Sequence, residues 1–273
     1  MNICMEQVIE LVHSVKPFFM DRAMSHDVTV KGLADFVTRA DTSVQSRLFG
    51  ELSKQYPGIQ LMGEEDHMQA VDFSKPMWIL DPIDGTTNLI YSYCHSAVSL
   101  GYYENKKIGA AVIYNPFTEE TFHAVRGQGA FLNGRRIRVT QKAALKDSLI
   151  AIGTSPYDKE MTEDNFRVFK EIFRRSLDIR RSGSAALDLA YLACGRVDGF
   201  LERNLKPWDF SAGALLVEEA GGQVTDYSLM PLDYSKNQDI LASNGKIHDE
   251  LQKEVRFVQN GLDSGGDLNR STY

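Results

Sequence analysis

The sequence predicts a mixed fold: an N-terminal α+β part (residues 1–145) is followed by a C-terminal α/β part (146–260) in the same body, and a disordered tail (261–273). Three observations carry this. Residues 97–139 hold short apolar runs separated by Glu104-Asn105, Asn115-Pro116 and Asn133-Gly134, the texture of strands joined by tight turns. From about Ser148 strand and helix patterns alternate, as in α/β folds. The last 13 residues, 261–273, are polar and rich in Gly and Ser, too poor in apolar groups to order themselves.

At about 150 residues per domain, 273 residues suggest two domains or one large one. Such a chain buries about 70–75% of its unfolded surface and needs no disulfide or metal merely to fold. The net charge of −7 argues against nucleic acid or an anionic membrane as the main partner. Cys4, Cys94 and Cys194 form no CxxC pair, so neither a disulfide framework nor a thiolate zinc site is expected, and they read as packed or idle thiols in a reducing cytoplasm. Glu6 and Glu10 interrupt the apolar pattern of the N-terminus, unlike a secretory signal. Runs such as Ile108–Tyr114 are too short to span a membrane. A soluble, cytoplasmic protein is expected.

Met5, Val8, Ile9, Val12, Val15 and Phe19 fall at helical spacing, with Pro17 expected to kink or end that helix. A second helix is expected after Asp41 or Thr42 as N-cap, with Val44, Leu48 and Leu52 on one face and a stop at Pro57-Gly58. Residues 31–39 between them read as a loop or hairpin. Strands are expected at Ile59–Met62 and Trp78–Leu80, the second ending abruptly at Asp81-Pro82. After the β-rich stretch come strand Leu149–Ile152, helix Thr162–Arg175, strand Asp178–Arg181, helix Ser184–Ala193, strand Val197–Leu201 and helix Asp209–Ala220, stopped by Gly221-Gly222.

The chemistry concentrates in Trp78-Ile79-Leu80-Asp81-Pro82-Ile83-Asp84-Gly85-Thr86-Thr87-Asn88. Two carboxylates three residues apart, across a turn stiffened by Pro82, can converge. Converging carboxylates repel, so one must hold a proton or share a cation. Oxygen ligands favour a hard cation, Mg²⁺ before Mn²⁺ or Ca²⁺. Gly85 and Thr86 offer backbone N–H groups to an anion such as phosphate. A lone DxxD would as readily cap a helix. Here, however, Glu64 and Glu65 end another strand and Asp209 opens a helix, an arrangement suited to a multi-metal site at a sheet edge. Glu65 and Asp66 read as a solvated continuation of their motif. His95 and His123 read as strand filler, Cys94 and Cys194 as packing residues, and Arg180 and Arg181 as partners of carboxylates before phosphate.

These residues carry a resemblance. Asp81 to Asn88 reads DPIDGTTN and Trp208 to Gly213 reads WDFSAG; with Gly63-Glu64-Glu65, the Lys31 to Asp41 segment KGLADFVTRAD, and the stretches Arg180–Asp188 and Gly195–Gly199, they resemble the inositol monophosphatase family of Mg²⁺-dependent, lithium-sensitive sugar phosphatases over about residues 5–258. The resemblance implies a layered αβαβα sandwich, a homodimer, and a phosphomonoesterase acting on inositol monophosphate or a related sugar phosphate through metal-activated water. The N-terminal part would bind metal and the C-terminal part would complete the site. Glu64, Asp81 and the Ile83 carbonyl would hold a first metal, Asp81, Asp84 and Asp209 a second, and Glu64 would help place a third. Thr86 would orient the attacking water, with Glu64 also handling its proton and Asp41 supporting Thr86. Asp84, Gly85, Thr86 and Lys31 would lie by the phosphate, and Gly183, Ser184, Ala185 and Glu202 by the sugar. Asn88 and Glu202 look like the inositol branch. Fructose-1,6-bisphosphatase, histidinol phosphatase and 3′-phosphoadenosine nucleotidase remain alternatives within the superfamily, and a regulatory protein binding the transcription machinery remains one outside enzymology.

Overall fold

The computed structural model describes residues 3–65 and 71–263, with side chains to residue 256. The N-terminal helix pattern is split: α1 (Met5–His13) stops before α2 (Lys16–Met20), and α3 (Arg22–Ser25) follows. Pro17 does not kink a helix from within; it sits in the first turn of α2, where its missing N–H costs nothing. Strands β1 (Val28–Gly32) and β2 (Asp35–Thr38) form a separate hairpin, and α4 (Arg39–Gln55) follows. Its N-cap is Thr38, not Asp41 or Thr42. Asp41 stands at the third helical position and accepts the Thr38 N–H at 2.7 Å, closing a capping box.

Strands β3 (Gln60–Gly63) and β4 (Met77–Asp84) pair in parallel. β4 does not end at Asp81-Pro82: it runs to Asp84 through an irregularity in its pairing with β5, which lets Asp81 and Asp84 leave the pleat together. After the short helix α5 (Thr86–Ile90) come β5 (Ala97–Glu104), β6 (Lys107–Asn115), β7 (Glu120–Val125), β8 (Gly129–Leu132) and β9 (Arg135–Ile137), an antiparallel meander completing a seven-stranded sheet. Its Asn105-Lys106 and Asn133-Gly134 turns have positive φ at both central residues, as two-residue hairpins require. Neither Cys94 nor His95 matches its expectation: Cys94 is exposed, and His95 lies in the loop ahead of β5.

The chain then builds β10 (Leu149–Ile152), α6 (Thr162–Arg175), β11 (Asp178–Arg180), α7 (Ala185–Ala193), β12 (Gly199–Leu205), α8 (Pro207–Glu219), β13 (Gln223–Asp226), β14 (Gln238–Ser243) and α9 (His248–Asp263). The second sheet has the order β11-β10-β12-β14-β13, with β10 parallel to both its neighbours. β12 runs four residues past the expected Leu201, which puts Glu202 on the strand. Residues 261–263 are helical, contrary to the disordered tail expected there; the remainder of that tail, and Asp66, lie outside the described residues.

The layers follow from side-chain alternation. On β4, Trp78 and Leu80 pack with Val8, Val12, Val44 and Leu48 of α1 and α4, whereas Met77 and Ile79 face the core shared with Leu189 of α7 and Leu215 of α8. That core reaches Phe200 and Ile240 of the second sheet, so α7 and α8 lie between the sheets. On the far side, Ile150, Ile152 and Leu241 meet Val168, Phe169, Ile172, Leu251 and Val255 of α6 and α9. The result is helix, sheet, helix, sheet, helix. No helix among the described residues is long and apolar enough to cross a membrane.

Candidate active site

A cavity of about 170 Å³ opens where the ends of β3, β4, β10 and β12 meet the starts of α5, α7 and α8. Glu64, Asp81, Ile83, Asp84, Gly85, Thr86, Gly183, Ser184, Ala185, Glu202 and Asp209 all line it. These residues are up to 145 positions apart (209 − 64). Asp41 lies behind the lining: Thr86 donates its hydroxyl proton to Asp41 Oδ1 at 2.9 Å, with the Ile83 carbonyl as alternative acceptor at 3.0 Å. Lys31 is not part of the lining. Its ammonium pairs with Glu65 at 2.6 Å, so Glu65 is a buried ion-pair partner and not a solvated continuation of the motif.

Local structure explains how acids reach one place. Asp84 Oδ2 accepts from Ser184 Oγ (2.5 Å) and Ala186 N (2.7 Å), so the first turn of α7 holds a carboxylate delivered by the other sheet. The Ser184 hydroxyl, expected near the sugar, is thereby committed to Asp84. Asp81 Oδ1 accepts from Ile83 N at 3.0 Å, and Asp209 Oδ2 from Lys206 N at 2.8 Å. Asn88 donates to the carbonyls of His95 and Ser182, tying α5 to the turn before α7. Gly85 adopts φ +88°, and a Cβ there would press on the carbonyl oxygens of His95 and Gly183, so this turn needs glycine.

The electrostatics are those of like charges in a poorly solvated place. Burial first, then Glu64, Asp84 and Asp209, lifts Asp81 well above the usual carboxylate range. Asp209 rises for the same reasons, and Glu64 rises to about 7 through burial and the neighbouring Glu65. Burial takes Asp84 only to about 6, because Ser184 and the α7 N–H groups favour its anion. Among the described residues no closed set of three or more Asp, Glu, His or Cys side chains is already formed. Asp81 Oδ2, Asp209 Oδ1 and both Glu64 oxygens accept no hydrogen bond among the described residues, and their side chains line the cavity. Anchored carboxylates with spare oxygens, gathered without enough positive charge, fit a hard divalent cation by donor chemistry.

Several lining residues had no role assigned from the sequence: Ala34, Asp35 and Phe36 of the β1–β2 hairpin, Thr87 and Asp188, which lie within the quoted motifs, and Gly153, Pro156, Tyr157 and Leu205, which lie outside them. Asp188 is a buried carboxylate raised well above its usual range by burial. Arg180 pairs with Asp178, as expected, but Arg181 turns to the cavity and donates to Thr154 Oγ1 at 3.1 Å. No signal in the local sequence distinguishes the two arginines. Glu202 accepts from Ser155 N at 3.0 Å and is raised by burial to about 7.

The family model described as the inositol monophosphatase family matches residues 4–260. An inositol-1-monophosphatase from Synechocystis is 42% identical over 227 residues, covering 82% of this chain and 78% of that protein. The Nus factor SuhB of Escherichia coli K12 is 40% identical over 231 residues, covering 84% and 86%. The crystal structure of the extragenic suppressor protein SuhB from Bartonella henselae superposes with a TM-score of 0.86 at 38% identity, covering 92% of this chain and 98% of that one.

Proposed function

The chain belongs to the inositol monophosphatase family, and from that premise we propose that it is a Mg²⁺-dependent phosphomonoesterase acting on inositol monophosphate or a related sugar phosphate. The observation that carries this reading is the convergence of Glu64, Asp81, Asp84 and Asp209, from both sheets' ends, on one cavity that also holds Thr86 and Glu202. We further read residues 1–145 as the metal-binding part and 146–260 as the part that completes the site, in a cytoplasmic, lithium-sensitive homodimer.

Hydrolysis of a phosphate monoester needs a barrier reduction on the order of 20 kcal/mol. Glu64, Asp81 and the Ile83 carbonyl would hold one cation, Asp81, Asp84 and Asp209 a second, and Glu64 would help place a third. Bound there, Mg²⁺ would acidify water and offset charge building up on the phosphoryl and leaving oxygens. The chain's own residues do the rest. Thr86 keeps its proton on Asp41 Oδ1 or the Ile83 carbonyl, which leaves its oxygen lone pairs to accept from the attacking water and orient it. Asp41, raised by burial to about 6, is an ionised acceptor at neutral pH, and Glu64 is a second proton acceptor at the cavity. The N–H groups of Gly85 and Thr86, at the start of α5, would bind phosphoryl oxygens. Glu202 accepts hydrogen bonds from the hydroxyls of a polyol.

Phosphate release from a panel of monoesters tests the reading, with inositol 1-phosphate, fructose 1,6-bisphosphate, histidinol phosphate and 3′-phosphoadenosine nucleotides included. Activity should vanish in chelator, return with Mg²⁺ and be inhibited by Ca²⁺, whose looser coordination suits the chemistry poorly. Full activity after exhaustive chelation refutes it. A second reading, a regulatory role beside catalysis, is favoured by the name of the E. coli relative; a pull-down with transcription components, compared with the assay, separates the two.

A further inference from the structure

Resting on the phosphatase reading, we propose that Tyr157 is a substrate-specificity residue, its hydroxyl donating to the alcohol part of the substrate beside the scissile ester while its ring walls that side of the cavity. Tyr157 lies in the segment after β10 and lines the cavity beside Pro156. The residue is 54% exposed, yet it shares the cavity lining with acids from both halves of the molecule, Glu64, Asp84, Glu202 and Asp209. Burial first, then Asp209, Glu64, Glu202 and Asp84, raises its pKa. It therefore stays protonated and remains a donor. The same lining carries the ligand carboxylates and Glu202, so a phosphate ester held by the acids and a polyol held by Glu202 would share a cavity with Tyr157.

Donor accounting leaves Tyr157 among the few side-chain donors of the lining, beside the Arg181 N–H groups not bonded to Thr154. Ionised Asp and Glu only accept, so a ring hydroxyl that is to accept a hydrogen bond needs a donor from elsewhere in the lining. The Thr86 proton is committed to Asp41 or the Ile83 carbonyl, the Ser184 proton to Asp84, and one Arg181 nitrogen to Thr154. Thr87 follows Thr86 in α5 and is exposed. The Tyr157 hydroxyl makes no hydrogen bond among the described residues. Its ring has a cationic neighbour: the Lys206 ammonium lies 5.6 Å from the Tyr157 ring centroid and 5.5 Å from that of Trp208. Lys206 immediately precedes α8, the helix that carries Asp209, so the wall is tied to the acid cluster.

The test compares wild type, Tyr157→Phe and Tyr157→Leu on inositol 1-phosphate and on phenyl phosphate, which has no ring hydroxyls. Tyr157→Phe should raise KM for inositol 1-phosphate about tenfold with kcat changed less than about twofold, and leave phenyl phosphate nearly unaffected. In Ca²⁺, calorimetry should show the Kd for inositol 1-phosphate weakened by about the same factor, a readout independent of turnover. Tyr157→Leu, which also removes the ring, should raise KM for both esters. Equal losses on both substrates in Tyr157→Phe, or an unchanged Kd, overturn the proposal. If the wild type hydrolyses neither ester, the phosphatase reading fails and takes this inference with it. If the wild type hydrolyses both and Tyr157→Phe is indifferent, only the inference falls.

Discussion

Gly153 leaves β10 against Glu202, and an alanine Cβ built there would overlap the Glu202 carboxyl group. To restore ordinary contact the carboxylate has to retreat by roughly 1.5 Å. That displacement breaks its hydrogen bond from Ser155 N, 3.0 Å long in the native site, and moves the acceptor away from a bound polyol. Losing one charge-assisted hydrogen bond to substrate costs about 1.5–3 kcal/mol, so Gly153→Ala should raise KM for inositol 1-phosphate roughly ten- to hundredfold. Crowding should also destabilise the fold by about 1–3 kcal/mol. Turnover of phenyl phosphate, which has no ring hydroxyl for Glu202 to accept from, should stay within about threefold. Steady-state phosphate release and thermal melting measure both quantities. The decisive comparison is the double mutant. Glu202→Ala removes the group with which the new methyl collides, so Gly153→Ala should add almost nothing in that background, a coupling of about 1.5 kcal/mol or more. Additive losses would show that Gly153 acts on the site by some route other than Glu202.

Asp84→Asn should lower kcat at saturating Mg²⁺ by at least about a hundredfold, a loss of roughly 2.7 kcal/mol; near wild-type turnover would refute its ligand role. Without metal, Glu64 and Asp84, raised to about 7 and about 6, favour their protonated forms in the folded state. Their contribution is therefore greatest at low pH and is lost as pH rises from about 4 to about 7. Chelated protein should lose stability over that rise, Mg²⁺ should restore it, and Asp209→Asn should raise apo stability while weakening the Mg²⁺ response. A melting temperature indifferent to millimolar Mg²⁺ would count against a shared site. His248 has the opposite sign. Buried between Thr225 and Ser243, it is lowered to about 4, chiefly by burial, so the unfolded chain takes up its proton first. In Mg²⁺, stability should fall as pH drops from about 6.5 to about 4, by at most about 3 kcal/mol, and His248→Gln should flatten that slope in urea titrations.

Much of the fold was legible because local rules and tertiary packing agree. Asn133-Gly134 needs no partner to favour a hairpin, and the apolar spacing of Val168, Phe169 and Ile172 fits a helix on any sheet. The stretch after α8 was less legible. No element was expected over β13, β14 and α9, where short strands carry mixed residues such as Gln223-Val224-Thr225-Asp226 and depend on β12 and on each other for their pairing. The opening helix failed differently: its apolar spacing continued through Ser14 and Val15, where the backbone breaks.

The same division runs through the site. Short-range sequence determined which groups are present: a strand run ending in two acids and a glycine, an acid at the start of α8, and a glycine at 85 where φ is positive. Those are local facts, set by bond geometry and by where backbone N–H groups go unpaired. The tertiary structure decided everything that depends on distance between remote residues. It committed Ser184 to Asp84 across 100 positions, paired Glu65 with Lys31, turned Arg181 but not Arg180 to the cavity, and brought Tyr157 and Gly153 to Glu202 and the acid cluster. The acids' raised pKa values belong to this second class. Desolvation and mutual repulsion arise only when two sheets and the helices between them bring the carboxylates together and exclude water, and no single segment of the chain contains that arrangement.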